Sequence, residues 1–179
     1  MTTWIALLRG VNVGGHNKLP MAQLRAGLDE AGLSNPRTYI QSGNVIVDCD
    51  DTSPDSVADR IADVIERDHG FRPAVWVMDL AQLQGAVENN PFDAHAQADP
   101  KSVHYFFIAS TPPPSALAEL AELAKPSEAV ELGEGVVYLH APEGIGRSKL
   151  AERFDRVAGT QTTARNHRTV AAVLELAKT

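Results

Sequence analysis

Between Arg9 and Lys18 the chain reads Arg-Gly-Val-Asn-Val-Gly-Gly-His-Asn-Lys, a run of glycine, amide and positive charge without a single acid. Such a run can hold an anionic group. Backbone N–H groups freed by Gly14 and Gly15 can line an anion nest, while Arg9, Lys18 and the amides of Asn12 and Asn17 supply further donors. Arg9 is the strongest of them, because its planar guanidinium takes a phosphate or carboxylate through two parallel hydrogen bonds. The same residues also suit a purely structural loop, in which Arg9 pairs locally and the asparagines satisfy backbone. They name no reaction, and no catalytic residue follows from them.

Two known phosphate signatures can be set aside. Gly10 and Gly15 have the G-x-x-x-x-G spacing of a P-loop, but His16 and Asn17 stand where Lys and Ser or Thr are required. The order of elements around Gly10, Asn12 and Gly14 is not the βαβ unit of a dinucleotide fingerprint either. Further donors lie elsewhere. Gln41, Ser42 and Asn44 offer uncharged groups on a turn, Arg147, Ser148 and Lys149 open a helix after the glycines of Gly144-Ile145-Gly146, and Arg165 and Asn166 precede the last helix. Helix N-termini favour anions, although capping alone also explains Ser148 and Asn166. His16, His69, His95, His104, His140 and His167 have no metal-ligand spacing, and Ser42 lacks a nucleophile elbow, so neither metal nor cofactor is expected. Trp4, Tyr39, Trp76, Tyr105 and Phe107 fall in strands without an RNP pattern, which reads as core packing.

Charge supports a basic site in an acidic chain. The net charge is -7, yet Met1–Val47 carry four basic residues against two acids, residues 48–143 five against eighteen, and residues 144–179 seven against three. No Asp or Glu occurs before Asp29. If the two basic ends meet, they build a positive face around the glycine loop. The single Cys49 cannot form an internal disulfide, and no apolar run is long enough to span a bilayer, so a cytoplasmic protein without a membrane partner is expected.

Hydrophobic periodicity places these residues on elements. Trp4–Leu8 is a short apolar run suited to a central strand; Met21, Leu24, Leu28 and Ala31 recur at helical spacing, ended by Gly32; residues 38–40 and 45–47 form a hairpin. Ser53 and Pro54 open a second helix that Gly70 closes, and residues 73–78 form a fourth strand. This is the ferredoxin-like order, and it puts the Arg9–Lys18 loop and the Gln41–Asn44 turn at one end of the sheet. Asp79 and Gln82 make a capping-box pattern for a third helix, and a polar stretch, residues 91–100, reads as a linker between subdomains 1–90 and 101–179. The second part repeats strand, helix and hairpin, then continues with a helix over Leu150, Phe154 and Val157, an extended segment 160–165, and a final helix capped by Asn166. The expected fold is α+β: a ferredoxin-like plait followed by a related strand–helix–hairpin subdomain with two C-terminal helices.

Together Leu-Leu-Arg9-Gly-Val-Asn12-Val-Gly14-Gly15, Pro20-Met21, Tyr39-Ile-Gln41-Ser42-Gly43-Asn44-Val, Asn90-Pro91-Phe92 and Arg165-Asn166 with Thr169 resemble the bacterial family called domain of unknown function 1697. Arg147-Ser148-Lys149 is similar to the segment before that family's penultimate helix, whereas His167-Arg168 and Ala171-Ala172 are less typical. The resemblance implies a compact α/β protein of two related plait-like subdomains and carries no activity with it. Residue chemistry therefore sets the functional expectations. The first is a cleft, between the Arg9–Lys18 loop and the Arg147–Lys149 and Arg165–Asn166 segments, that receives a phosphate-bearing or carboxylated small molecule, with Arg9 and Lys149 neutralising it. The second is an interaction module that docks RNA backbone or an acidic protein partner on the same basic face. Salt dependence separates the two.

Overall fold

The computed structural model describes residues 1–179 as two compact units, Met1–Gln84 with Ala172–Thr179, and Gly85–Ala171. In the first unit the elements run β1 (Thr2–Leu8), α1 (Met21–Glu30), β2 (Ser34–Tyr39), β3 (Asn44–Cys49), α2 (Pro54–His69) and β4 (Val75–Asp79). The sheet order is β2-β3-β1-β4, antiparallel throughout, which is the ferredoxin-like plait. β1 is central, as its unbroken apolar run requires, and side chains on both of its faces are buried. Trp4, Ala6 and Leu8 alternate onto the face covered by Leu24 and Leu28 of α1 and Val57, Ile61 and Ile65 of α2.

The helix ends follow their local chemistry. Ser53 caps α2 through the Ser56 N–H, and the helix stops at Gly70 in the left-handed conformation. Asp79 and Gln82 form the reciprocal capping box at the start of α3 (Leu80–Glu88): the Gln82 N–H donates to Asp79 Oδ1 at 2.8 Å and the Asp79 N–H to Gln82 Oε1 at 3.0 Å. β2 begins earlier than its apolar residues suggest, because an edge strand tolerates Pro36, and a register shift between Ser34 and Arg37 accommodates it.

The second unit holds α4 (Asp93–Ala98), β5 (Val103–Ile108), α5 (Pro114–Leu123), β6 (Ala129–Leu132), β7 (Val136–His140), a 3₁₀ turn (Ile145–Arg147), α6 (Lys149–Ala158) and β8 (Thr162–Asn166). A short helix thus occupies part of the polar stretch 91–100. Sheet order is β6-β7-β5-β8, again antiparallel and again the plait. The extended segment before the last helix is therefore a fourth strand, paired along β5 from Ile108↔Thr162 to His104↔Asn166. Phe106, Ile108, Val137 and Leu139 form the helix-facing core with Leu120, Leu150 and Phe154. The final helix, α7 (His167–Ala177), begins with the second unit, and its residues from Ala172 onward group with the first.

Candidate functional site

The Arg9–Lys18 loop leaves the end of β1, pinned where it starts: the Leu8 N–H donates to Gly43 O at 2.8 Å and the Arg9 N–H to Ala74 O at 3.0 Å. Val11 and Leu19 are buried and anchor it at either side, while the residues from Asn12 to Lys18 are exposed. Five residues of the Arg9–Lys18 loop lie in the left-handed region, Gly10, Asn12, Gly14, Gly15 and Asn17, with φ of 70°, 53°, 58°, 77° and 50°. Glycine and asparagine are the residues that accept this conformation at least cost. The sequence is thereby matched to the path.

Asn12 organises the loop. Its Oδ1 accepts from the Leu19 N–H at 2.7 Å, and its Nδ2 donates to Leu19 O at 3.0 Å and to Gln41 O at 2.8 Å. The Asn12 N–H donates to Asn17 O, Asn17 Nδ2 to Gly10 O, and the His16 N–H to Val13 O, each at 3.0 Å. Both asparagine side chains therefore hold the loop, and both N–H hydrogens of Asn12 are committed. The expected adjacency of the loop and the Gln41–Asn44 turn is present in the Asn12–Gln41 bond. In that turn Asn44 is fully buried, and its Nδ2 donates to Tyr39 O and Ser42 Oγ, both at 3.0 Å. Gly43 has φ +79°, and a Cβ there would lie 2.7 Å from Leu8 Cβ and 2.8 Å from Val11 Cγ2, so only glycine lets the two segments approach.

What the loop presents outward is a smaller set. The N–H groups of Gly14 and Gly15 make no hydrogen bond within the protein, the Lys18 ammonium has no carboxylate partner, and Arg9, at the start of the loop, is exposed. Two successive amides and nearby cations can hold a phosphate or carboxylate.

The remaining sequence candidates belong to the second unit. Arg147 ends the 3₁₀ turn and Lys149 opens α6, both exposed, and between them buried Ser148 caps the helix by accepting from the Ala151 N–H at 3.1 Å. Asn166 Oδ1 accepts from the Thr169 N–H at 3.0 Å, capping α7. Arg165 alternates with Ala164, which packs on the helix-facing core, so Arg165 lies on the other face of the sheet from α5 and α6. Its Nη1 donates to Thr163 Oγ1 and Ala164 O, both at 2.9 Å, and burial brings its pKa down to about 10.

That sheet face also carries residues without any local sequence signal. Tyr105 Oη lies 2.8 Å from His167 Nδ1, and both residues are buried. Burial pushes the Tyr105 phenol well above its ordinary range and holds His167 below its own. Tyr138 packs edge-on to Tyr105 with ring centroids 5.2 Å apart, donates to Ala86 O at 2.7 Å, and is pushed by burial to about 12. His95 and His140 stack at 3.9 Å. No group of three or more His, Cys, Asp or Glu is placed to hold a metal ion, and no helix is long and apolar enough to cross a membrane.

Comparison with known proteins adds a family and a fold. A family profile described as "Protein of unknown function (DUF1697)" matches residues 1–138. Among solved structures, the conserved bacterial protein SP0830 from Streptococcus pneumoniae aligns over 100% of this chain and 99% of its own, with a TM-score of 0.77 and 23% identity. At that identity the likeness establishes the fold alone. No curated protein matches the chain.

Proposed function

Since the chain belongs to the DUF1697 family of proteins of unknown function, its activity has to be read from its own residues, and we propose that the Arg9–Lys18 loop binds the phosphate or carboxylate group of a small molecule. The observation that carries this reading is the pair of unbonded N–H groups at Gly14 and Gly15, held in left-handed conformations within four residues of Lys18. Asn12 and Asn17 act by positioning: they fix the path and leave the amides facing water. Arg9 and Lys18 neutralise the incoming charge from a stretch of chain that carries no acid before Asp29.

The test is a thermal-shift and calorimetric screen of the full chain against nucleotides, sugar phosphates, carboxylic acids and short RNA, at low and moderate salt. A small anion should raise the melting temperature of the wild type and lose affinity by about 1.5–3 kcal/mol with Arg9→Ala, the worth of a charge-assisted hydrogen bond. Binding of RNA alone, abolished by moderate salt, would instead favour a module that docks a nucleic-acid backbone.

A further inference from the structure

Beside its cations and amides, the same tip of the first unit bears apolar surface. The large hydrophobic side chains left exposed are Met1, Val13, Ile40 and Leu132. Two of these four flank the hydrogen bond that joins loop to turn: Val13 follows Asn12, and Ile40 precedes Gln41. Their exposures are 63% and 50%.

Ile40 is the more telling of the two. It is held at φ +48°, a region that disfavours β-branched side chains and whose usual occupants are glycine and asparagine. An Asn or Gly at this site would relieve the backbone and remove an apolar side chain from water. Stability and solubility thus both argue against isoleucine here, and strain of this kind is a pointer to contact with a ligand.

Resting on the anion-binding reading above, we propose that the ligand is an amphipathic anion: a phosphate or carboxylate received by Gly14, Gly15, Arg9 and Lys18, carried on an aromatic or branched hydrocarbon body that covers Val13 and Ile40. Heavily hydroxylated anions such as sugar phosphates fit poorly, since their hydroxyls would lie against two side chains that offer no hydrogen bond.

Calorimetric titration of the full chain with inorganic phosphate, phenyl phosphate and naphthyl phosphate tests this, using the wild type, Lys18→Ala and the double variant Val13→Ser/Ile40→Asn. Burying one methylene is worth about fourfold in affinity, so a ring seated on the two side chains should bind about tenfold tighter than phosphate, and a larger ring tighter still. In the double variant that preference should collapse while phosphate affinity holds. In Lys18→Ala all three ligands should weaken. Equal affinities in the wild type, or a ring preference that survives the double substitution, would overturn the amphipathic ligand and leave the anion site standing. Failure of all three ligands to bind would overturn both. Vesicles containing an anionic phospholipid form the last arm, and binding to them without binding of the soluble aryl phosphates would also overturn the proposal, since the occupant would then be a membrane surface.

Discussion

Asn12 and Leu19 exchange two hydrogen bonds, Leu19 N–H to Asn12 Oδ1 at 2.7 Å and Asn12 Nδ2 to Leu19 O at 3.0 Å. An amide side chain thereby mimics a strand partner and closes the glycine loop across seven residues. Leu19 is fully buried, so its backbone groups have little access to water and depend on this partner.

Replacing Asn12 by Ala removes these two bonds and the one to Gln41 O, and places a residue poorly suited to φ +53°. A loss of about 2–3 kcal/mol is expected by urea unfolding, from three hydrogen bonds net of solvation. Asn12→Asp keeps the acceptor but loses both donors, and should fall between Ala and wild type.

Opposite signs are expected from two substitutions in the neighbouring turn. Gly43→Ala drives a Cβ to within 2.8 Å of Leu8 and Val11, so it should destabilise by about 2 kcal/mol or more. Ile40→Gly relieves the strain at φ +48° and should stabilise by about 1 kcal/mol. Chemical denaturation of both variants measures the difference directly, and Ile40→Gly should at the same time weaken binding of aryl phosphates.

Arg37 ties the C-terminal residues to the first unit. Its Nη1 donates to Leu176 O at 3.2 Å and its Nη2 to Asp48 Oδ1 at 3.0 Å, and both side chains of the ion pair are largely buried. Burial opposes ionisation of Asp48, but hydrogen bonds from Asn35, Thr3 and Arg37 outweigh it and hold the carboxyl below its ordinary value. A depressed carboxylate stabilises the fold above its unfolded pKa, and that contribution is lost as pH falls through the folded value. Arg37→Ala should cost about 2–3 kcal/mol near pH 7 in urea unfolding, because Asp48 is left without its charged partner. Hydrogen exchange in residues 172–179 should rise with it.

A second pH dependence comes from His104. Buried, with Nδ1 unpartnered, it has a pKa brought by burial from 6.5 down to about 4. The unfolded chain binds the proton first, so stability is complete above about pH 6.5 and declines progressively as pH falls to about 4, by about 3 kcal/mol in all. His104→Leu should flatten the stability profile across this window. A profile unchanged by the substitution would mean that the imidazole is not the titrating group.

Much of this was legible from the sequence because it was local. The capping box at Asp79 and Gln82, the caps at Ser53, Ser148 and Asn166, and the central position of β1 are each decided by residues within a few positions of one another. The first plait followed from them. β8 was not readable as a strand, since Thr-Thr-Ala-Arg-Asn has one apolar residue and becomes a strand only by pairing with β5. The role of Asn12 was open for the same reason: its acceptor at Gln41 is 29 residues away, and the sequence could not show whether the amide served the loop or a ligand. Tyr105 was legible as a packed strand aromatic, but nothing in the sequence signalled its pairing with His167, 62 residues away.

The central claim is that Gly14 and Gly15 receive an anion, and their own amide resonances report on it most directly. In ¹H–¹⁵N spectra of the full chain titrated with phenyl phosphate at constant pH and ionic strength, these two signals should move saturably, and Lys18→Ala should weaken the response without altering the rest of the spectrum. Signals at Gly14 and Gly15 that stay fixed at saturating ligand would contradict it.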